Sequence, residues 1–164
     1  MSRRHASLAP HWLAAMSLIV GMSLRMLPLP ALLAWGNPDW VLLFVIYWVL
    51  ATPEHIGIGA AWFAGLLADT LTGRSLGQHA LAYCLVAYCC LRFHKRLRFY
   101  SLVQQTLCIG LFLLLSQLIV AWTQELPGRP LTVSLYLLPA LSGALFWPLL
   151  TSLMHRLRSA SENA

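Results

Sequence analysis

The sequence predicts an all-α membrane protein with about six short transmembrane helices. Of its 164 residues, 59% are hydrophobic and only 10% are charged, whereas soluble domains carry roughly 25% charged residues. Apolar segments follow one another along the whole chain, separated by turns rich in Gly, Pro and charged residues. At ~20 residues per span there is room for five or six spans. We therefore expect residues 1–164 to form a single integral membrane domain without a separate soluble part.

The bounds of the spans follow from the apolar segments and from the residues that interrupt them. Pro28 and Pro30 should bend or end the first helix, because each lacks a backbone donor. Asp39 is well placed to cap the N-terminus of the second helix, and Pro53 interrupts the chain after it. The predicted spans cover residues 11–33, 40–52, 56–72, 78–91, 102–123 and 133–154.

The second predicted span is short for a transmembrane helix. Thirteen helical residues, 40–52, rise about 20 Å, which is less than the ~30 Å hydrocarbon core. The flanks must extend this helix, the bilayer must thin, or neighbouring helices must shield it. Trp40, Tyr47 and Trp48 are candidates for interfacial anchors.

The placement of the basic residues predicts the orientation in the membrane. With six spans and both termini in the cytoplasm, eight of the eleven Lys and Arg residues lie inside, as the positive-inside rule requires. One cytoplasmic loop then carries Arg92, Lys95, Arg96 and Arg98. Membrane anchoring is the expected role of this loop, and docking of a cytoplasmic partner is the alternative. Because the clusters of basic residues flank apolar segments, they do not indicate a nucleic-acid-binding surface.

Five small residues and one larger polar residue, Asp69, recur at every fourth position from residue 57 to residue 77. Such a row stays near one face of a helix, where it lets a neighbouring backbone come close. We expect the rest of the protein to pack around this helix. The row consists of Gly57, Ala61, Gly65, Asp69, Gly73 and Gly77.

Arg25 and Asp69 are the ionisable residues that lie most clearly within predicted spans. A carboxylate inside a membrane costs about 2.5 kcal/mol or more, so it usually faces protein, water or a partner. A structural Arg25–Asp69 bridge, a polar spot that lines a cavity, and contact with another protein's helix all remain open. Arg25 could also extend outward along its stem. His79 is expected at the outer interface.

No pattern in the sequence indicates an enzyme. There is no HExxH motif, no nucleophile elbow and no phosphate-binding loop. The four cysteines lack metal-type spacing. We therefore expect no catalytic residue, no cofactor and no metal site.

Three stretches resemble the rod shape-determining MreD family of bacteria. The first is Asn-Pro-Asp-Trp-Val-Leu-Leu at residues 37–43, followed by Tyr47-Trp48 and Pro53. The second is Gly65-x-x-x-Asp69-x-x-x-Gly73-x-x-Leu76-Gly77, followed by residues 80–83. The third is Ser142-Gly143-Ala144-Leu145-x-Trp147-Pro148. Their order and spacing match, and the resemblance extends over nearly the whole chain.

This resemblance implies a non-enzymatic membrane scaffold of the rod complex, or elongasome, in the bacterial inner membrane. Members of the family associate with the bitopic protein MreC and connect to MreB, to RodA and to its partner transpeptidase, which supports lateral peptidoglycan synthesis and rod shape. The implied fold is similar to that of the substrate-binding components of energy-coupling-factor vitamin transporters. No catalytic residue carries over. The carried positions, taken as structural or partner-contacting, are Gly65, Asp69, Gly73, Gly77, Pro38 and Pro148.

An alternative function is a small-molecule-binding subunit of a vitamin-type transporter. It would use a cavity near Arg25 and Asp69. It predicts co-purification with ATPase and coupling subunits.

Overall fold

The chain folds into α-helices joined by short connections. The computed structural model describes residues 9–30, 36–73, 75–124 and 133–162. In these ranges all regular secondary structure is helical, which confirms the predicted all-α class. The helices are α1 (Ala9–Arg25), α2 (Trp40–Ala51), α3 (Ile58–Thr72), α4 (Gln78–Leu97), α5 (Leu102–Gln124) and α6 (Val133–Glu162).

Two of the described helices are long and apolar enough to cross a membrane by themselves. These segments are Leu102–Thr123 in α5 and Leu137–Ser161 in α6. Helices α1, α2 and α3 are apolar but shorter. Length and composition thus agree with a membrane protein, and they single out α5 and α6.

Helix α2 occupies the centre of the bundle. Its ten residues from Val41 to Leu50 are all buried, and it packs against α1, α3, α4 and α6. A helix that is apolar on every side is stable only when it is surrounded. Neighbouring helices therefore shield this short helix, and the expectation that the chain packs around residues 57–77 is wrong. Tyr47 and Trp48 are 3% and 1% exposed, so they are not interfacial anchors.

A buried hydrogen bond connects α1 to α2. The indole Nε1–H of Trp48 donates to the hydroxyl of Ser17 at 2.8 Å, and that hydroxyl donates to the carbonyl of Ala14 at 2.8 Å. An indole N–H in an apolar interior needs such an acceptor. The bond fixes the large Trp48 ring between the two helices.

Three helix ends differ from the predicted bounds by six residues or more. One of them is the end of α6, which continues to Glu162 instead of ending at residue 154. Helix α1 ends at Arg25 instead of residue 33, since Pro28 and Pro30 follow and cannot supply backbone donors; residues 31–35 lie outside the described ranges. Helix α4 continues to Leu97 instead of ending at residue 91. The basic residues expected in a loop therefore extend a helix, apart from Arg98, which follows its last turn.

The row of small residues does not lie on one helix. Gly57 precedes α3 in an extended conformation. Gly73 and Gly77 lie beyond the end of α3 with φ of 62° and 104°, a left-handed region that favours glycine. They form the turn into α4. Only Ala61, Gly65 and Asp69 belong to α3 itself, and all three are buried.

Gly65 permits the closest approach between α3 and α4. A Cβ atom at this position would lie 2.4 Å from the Cα and 2.6 Å from the backbone nitrogen of Ala80. Both are backbone atoms, so a side chain at position 65 would force the two helices apart. The predicted close approach at Gly65 therefore occurs within the chain.

We expect Gly65→Ala to destabilise the fold by about 2 kcal/mol or more, as overpacking against a fixed neighbour does. Gly59→Ala on the same helix is the matched control, because nothing lies within 4 Å of its added Cβ. Alanine favours a helix by up to about 1 kcal/mol over glycine, so the control should be neutral or stabilising. Thermal unfolding in a mild detergent measures both variants, and equal stability would contradict the packing at Gly65.

Candidate functional site

The ends of four helices meet at one side of the bundle, where their polar side chains form one connected group. The C-terminal ends of α1 and α3 supply Arg25 and Asp69, and the N-terminal ends of α2 and α4 supply Asp39, His79 and Tyr83. We call these five residues the buried polar cluster. They come together because the ends of α1 and α3 lie beside the starts of α2 and α4.

Asp39 and Arg25 form the ion pair of the cluster. An Nη1 atom of Arg25 lies 2.7 Å from Oδ1 of Asp39. The Tyr83 hydroxyl donates to the two carboxylate oxygens at 2.7 and 2.8 Å. The backbone N–H of Leu42 also donates to Oδ1, at 3.2 Å, which confirms Asp39 as the N-cap of α2. One carboxylate therefore starts the central helix and neutralises Arg25.

Asp69 organises the start of α4. Its carboxylate accepts the backbone N–H groups of Gly77 at 2.8 Å, of His79 at 3.0 Å and of Ala80 at 3.4 Å. The first N–H groups of a helix have no partner within the helix, and they attract negative charge. A side chain at the end of α3 thus caps the next helix in the chain.

His79 lies between Asp69 and Arg25 and bonds to both. Because Arg25 also bonds to Asp39, the two carboxylates belong to one connected group. Nδ1 of His79 lies 2.7 Å from Oδ1 of Asp69, and its Nε2 lies 2.9 Å from Nη2 of Arg25. An arginine can only donate, so Nε2 of His79 accepts and Nδ1–H donates to Asp69. The geometry therefore requires the neutral Nδ1–H tautomer.

Four of the five cluster residues are almost completely removed from solvent, and the Arg25 side chain is 18% exposed. Asp69 and Tyr83 are 0% exposed, His79 is 3% exposed and Asp39 is 5% exposed. Ions that leave water lose several kcal/mol of solvation each, and only partners with good geometry offset that loss. With neutral His79 the charged groups are one guanidinium and two carboxylates, and the N-terminal N–H groups of α4 balance the additional negative charge.

The partners of Arg25 and Asp69 and the burial of His79 differ from what the sequence predicted. Arg25 and Asp69 do not pair directly; His79 connects them, and Asp39 is the ionic partner of Arg25. His79 is buried instead of lying at the interface. The sequence contained a usable signal: in a six-helix topology, residues 25, 39, 69 and 79 all fall at the same end of the bundle. Tyr83, one turn into α4, lacked any such signal.

The remaining predicted residues lie apart from the cluster. Pro38 is buried, and its Cβ lies 3.4 Å from the position of an added Cβ at Gly143. Pro148 lies inside α6. The four residues Arg92, Lys95, Arg96 and Arg98 are exposed at the opposite end of the bundle. Four of the basic residues counted for the predicted orientation lie outside the described residues: Arg3, Arg4, Arg74 and Arg129.

The chemistry of the cluster is that of a structural connection. In the part of the chain that the structure describes, no group of three His, Cys, Asp or Glu residues could hold a metal ion. Each titratable member bonds to another member or to the backbone. The cluster can therefore fix four helix ends relative to one another.

We expect Asp39→Asn to destabilise the protein by about 3 kcal/mol, because it leaves the charge of the largely buried Arg25 without its anionic partner. Asparagine keeps an oxygen for the Leu42 N–H and remains a good N-cap. The loss of stability therefore measures the effect of removing the negative charge. Tyr83→Phe removes one hydrogen bond to the same carboxylate and should cost only about 1–3 kcal/mol.

Thermal unfolding in a mild detergent should rank these variants. The double variant Arg25→Met/Asp39→Asn should be more stable than Asp39→Asn alone, since no unpaired guanidinium remains. A double variant that is no more stable than Asp39→Asn would contradict this account of the pair.

Comparison with known proteins identifies relatives over nearly the whole chain. The family model described as rod shape-determining protein MreD matches residues 7–157. The chain is 29% identical over 148 residues to a rod shape-determining protein MreD of Haemophilus influenzae, which covers 90% of this chain and 91% of that relative. No solved structure matches the chain. The agreement spans all six helices, and the chain belongs to the MreD family of rod shape-determining proteins.

Proposed function

We propose that the chain is a non-enzymatic membrane scaffold of the rod complex, which binds an MreC-like bitopic protein and supports lateral peptidoglycan synthesis. The family establishes the coarser statement, a role in rod shape determination. The scaffold proposal rests on how the polar groups of the interior are bonded. They bond to one another and to helix ends, which favours a rigid body that acts through its outer surface.

An apolar groove on that outer surface suits a partner helix. It lies between α5 and α6, the two longest apolar helices, and has a volume of about 410 Å³. Gly110, Ala140 and Ala144 line it beside leucines, and the hydroxyl of its polar member, Thr106, bonds to Leu102 O at 2.8 Å. Small residues let a second helix approach closely in a membrane. We assign the transmembrane helix of the MreC-like protein to this groove.

The proposed topology has six crossings, both termini in the cytoplasm, and the bacterial inner membrane as its location. The basic residues Arg92, Lys95, Arg96 and Arg98 at one end of the bundle support it, since positive residues favour the cytoplasmic side. The buried polar cluster then lies toward the outer surface. The whole chain forms one membrane domain in this proposal.

Further partners follow from the resemblance alone. We propose that MreB, RodA and its partner transpeptidase join the same larger complex, and that the fold is similar to the substrate-binding components of energy-coupling-factor transporters. Among the described residues nothing favours a vitamin-transporter role. Arg25 bonds to Asp39 and His79, and Asp69 bonds to His79; neither Arg25 nor Asp69 lines the groove or the pocket described below.

Depletion of the chain from a rod-shaped host without a paralogue should give round cells. Native purification through a C-terminal tag, followed by mass spectrometry, should recover an MreC-like protein. The variant Asp39→Asn in the buried polar cluster should reduce both rod shape and recovery of the MreC-like protein, in proportion to its loss of folded protein. Rods that persist after complete depletion, or recovery of ATPase subunits in place of an MreC-like protein, would overturn the scaffold proposal.

Ala144→Leu should reduce the recovered MreC-like protein at least severalfold, because the larger side chain fills the groove. The matched control is Ala60→Leu, the same change at an exposed position of α3 outside the groove. Both variants should reach the membrane at the level of the unmodified chain. Equal recovery of the partner with both variants would remove the groove from the proposal and leave the scaffold role intact.

A further inference from the structure

A second pocket lies at the end of the bundle opposite the buried polar cluster. It has a volume of about 270 Å³ and lies where the last turn of α2, the start of α5 and the later turns of α6 meet. Leu50, Leu102 and Trp147 give it apolar walls. Since ligand pockets for drug-sized molecules are about 300–1,000 Å³, this one suits a small polar group with an apolar extension.

The polar groups in this pocket favour an anion. Arg98, His155 and Arg158 line it, and among the described lining residues none is acidic. Arg98 is exposed at the junction of α4 and α5, and no described residue bonds to its guanidinium group. We call this site the Arg98 pocket. Arginine presents a planar fork of donors that matches phosphate geometry.

Gln105 adds one more donor to the pocket and no competing negative charge. The side-chain oxygen of Gln105 accepts from Trp147 Nε1 at 3.4 Å, which leaves the amide nitrogen of Gln105 as a donor. At the start of α5, Ser101 accepts the backbone N–H of Gln104 through its hydroxyl at 3.4 Å and that of Gln105 through its carbonyl at 2.9 Å, so these two groups do not donate to the pocket. The hydroxyl of Thr151 donates to its own helix at Trp147 O, so it supplies no donor to the pocket.

We propose that the Arg98 pocket binds a phosphate group with net negative charge, such as that of an anionic lipid headgroup or of free phosphate. This site is separate from the groove and from the buried polar cluster, and it does not depend on the scaffold proposal. Basic pockets between membrane helices are suited to anionic headgroups, because apolar walls receive the glycerol region while cations hold the phosphate.

Native mass spectrometry of the purified full chain in a neutral detergent tests the site. Three probes are added separately: phosphatidylglycerol, phosphatidylcholine with the same acyl chains, and inorganic phosphate. We expect phosphatidylglycerol or inorganic phosphate to bind at least tenfold more tightly than phosphatidylcholine. The tighter of the two anionic probes identifies the source of the phosphate group.

The variant Arg98→Gln/Arg158→Gln should weaken binding of the preferred probe at least tenfold. The matched control, Arg92→Gln/Arg96→Gln, removes the same charge from exposed residues of α4 that do not line the pocket, and it should change binding less than threefold. The single variant Arg98→Gln should weaken binding by an intermediate factor.

Unfolding temperatures verify that all three variants remain folded. Equal weakening by the two double variants would assign binding to general surface charge and overturn the proposal. The absence of binding by both anionic probes would overturn it as well.

Discussion

The largely buried guanidinium group of Arg25 is the main constraint on the helix arrangement. It cannot lose its charge, so it needs anionic partners when it leaves water. Asp39 supplies the negative charge at 2.7 Å, and His79 accepts a second hydrogen bond at 2.9 Å. These two contacts require the end of α1, the start of α2 and the start of α4 to lie close together. Asp69 then attaches the end of α3 through His79 and through the first N–H groups of α4. Arg25 thus connects three helix ends, and Asp69 adds the fourth.

Apolar packing explains the remainder of the interior. Helix α2 is surrounded along ten consecutive residues, which accounts for its short length: a helix enclosed by protein need not match the thickness of a bilayer. Gly65 lets the backbone of α3 lie against that of α4 at Ala80. This close approach brings Asp69 within reach of the N–H groups that it caps. Helix packing and the polar cluster therefore support each other.

The two ends of the bundle differ in chemistry, and this difference organises the proposed functions. One end holds its ionisable groups inside, bonded to each other. The other end keeps basic residues exposed on α4 and around the Arg98 pocket. Between the ends, α5 and α6 leave an apolar groove open on the outer surface. A scaffold needs a rigid interior and accessible surfaces of distinct chemistry, and these three regions fit that division.

The helical class, the order and approximate position of the six helices, and the cap at Asp39 could all be predicted from the sequence, because apolar segments, Pro and Gly positions and capping chemistry are local. The sequence also determined membership in the MreD family. Only the tertiary structure decided that α2 and not the Gly57–Gly77 segment is central, and that Arg25 pairs with Asp39. Local sequence does not encode which of two nearby carboxylates an arginine reaches, since that depends on distances between helices far apart in the chain. The same holds for His79 and Tyr83, whose burial depends on neighbours from other helices.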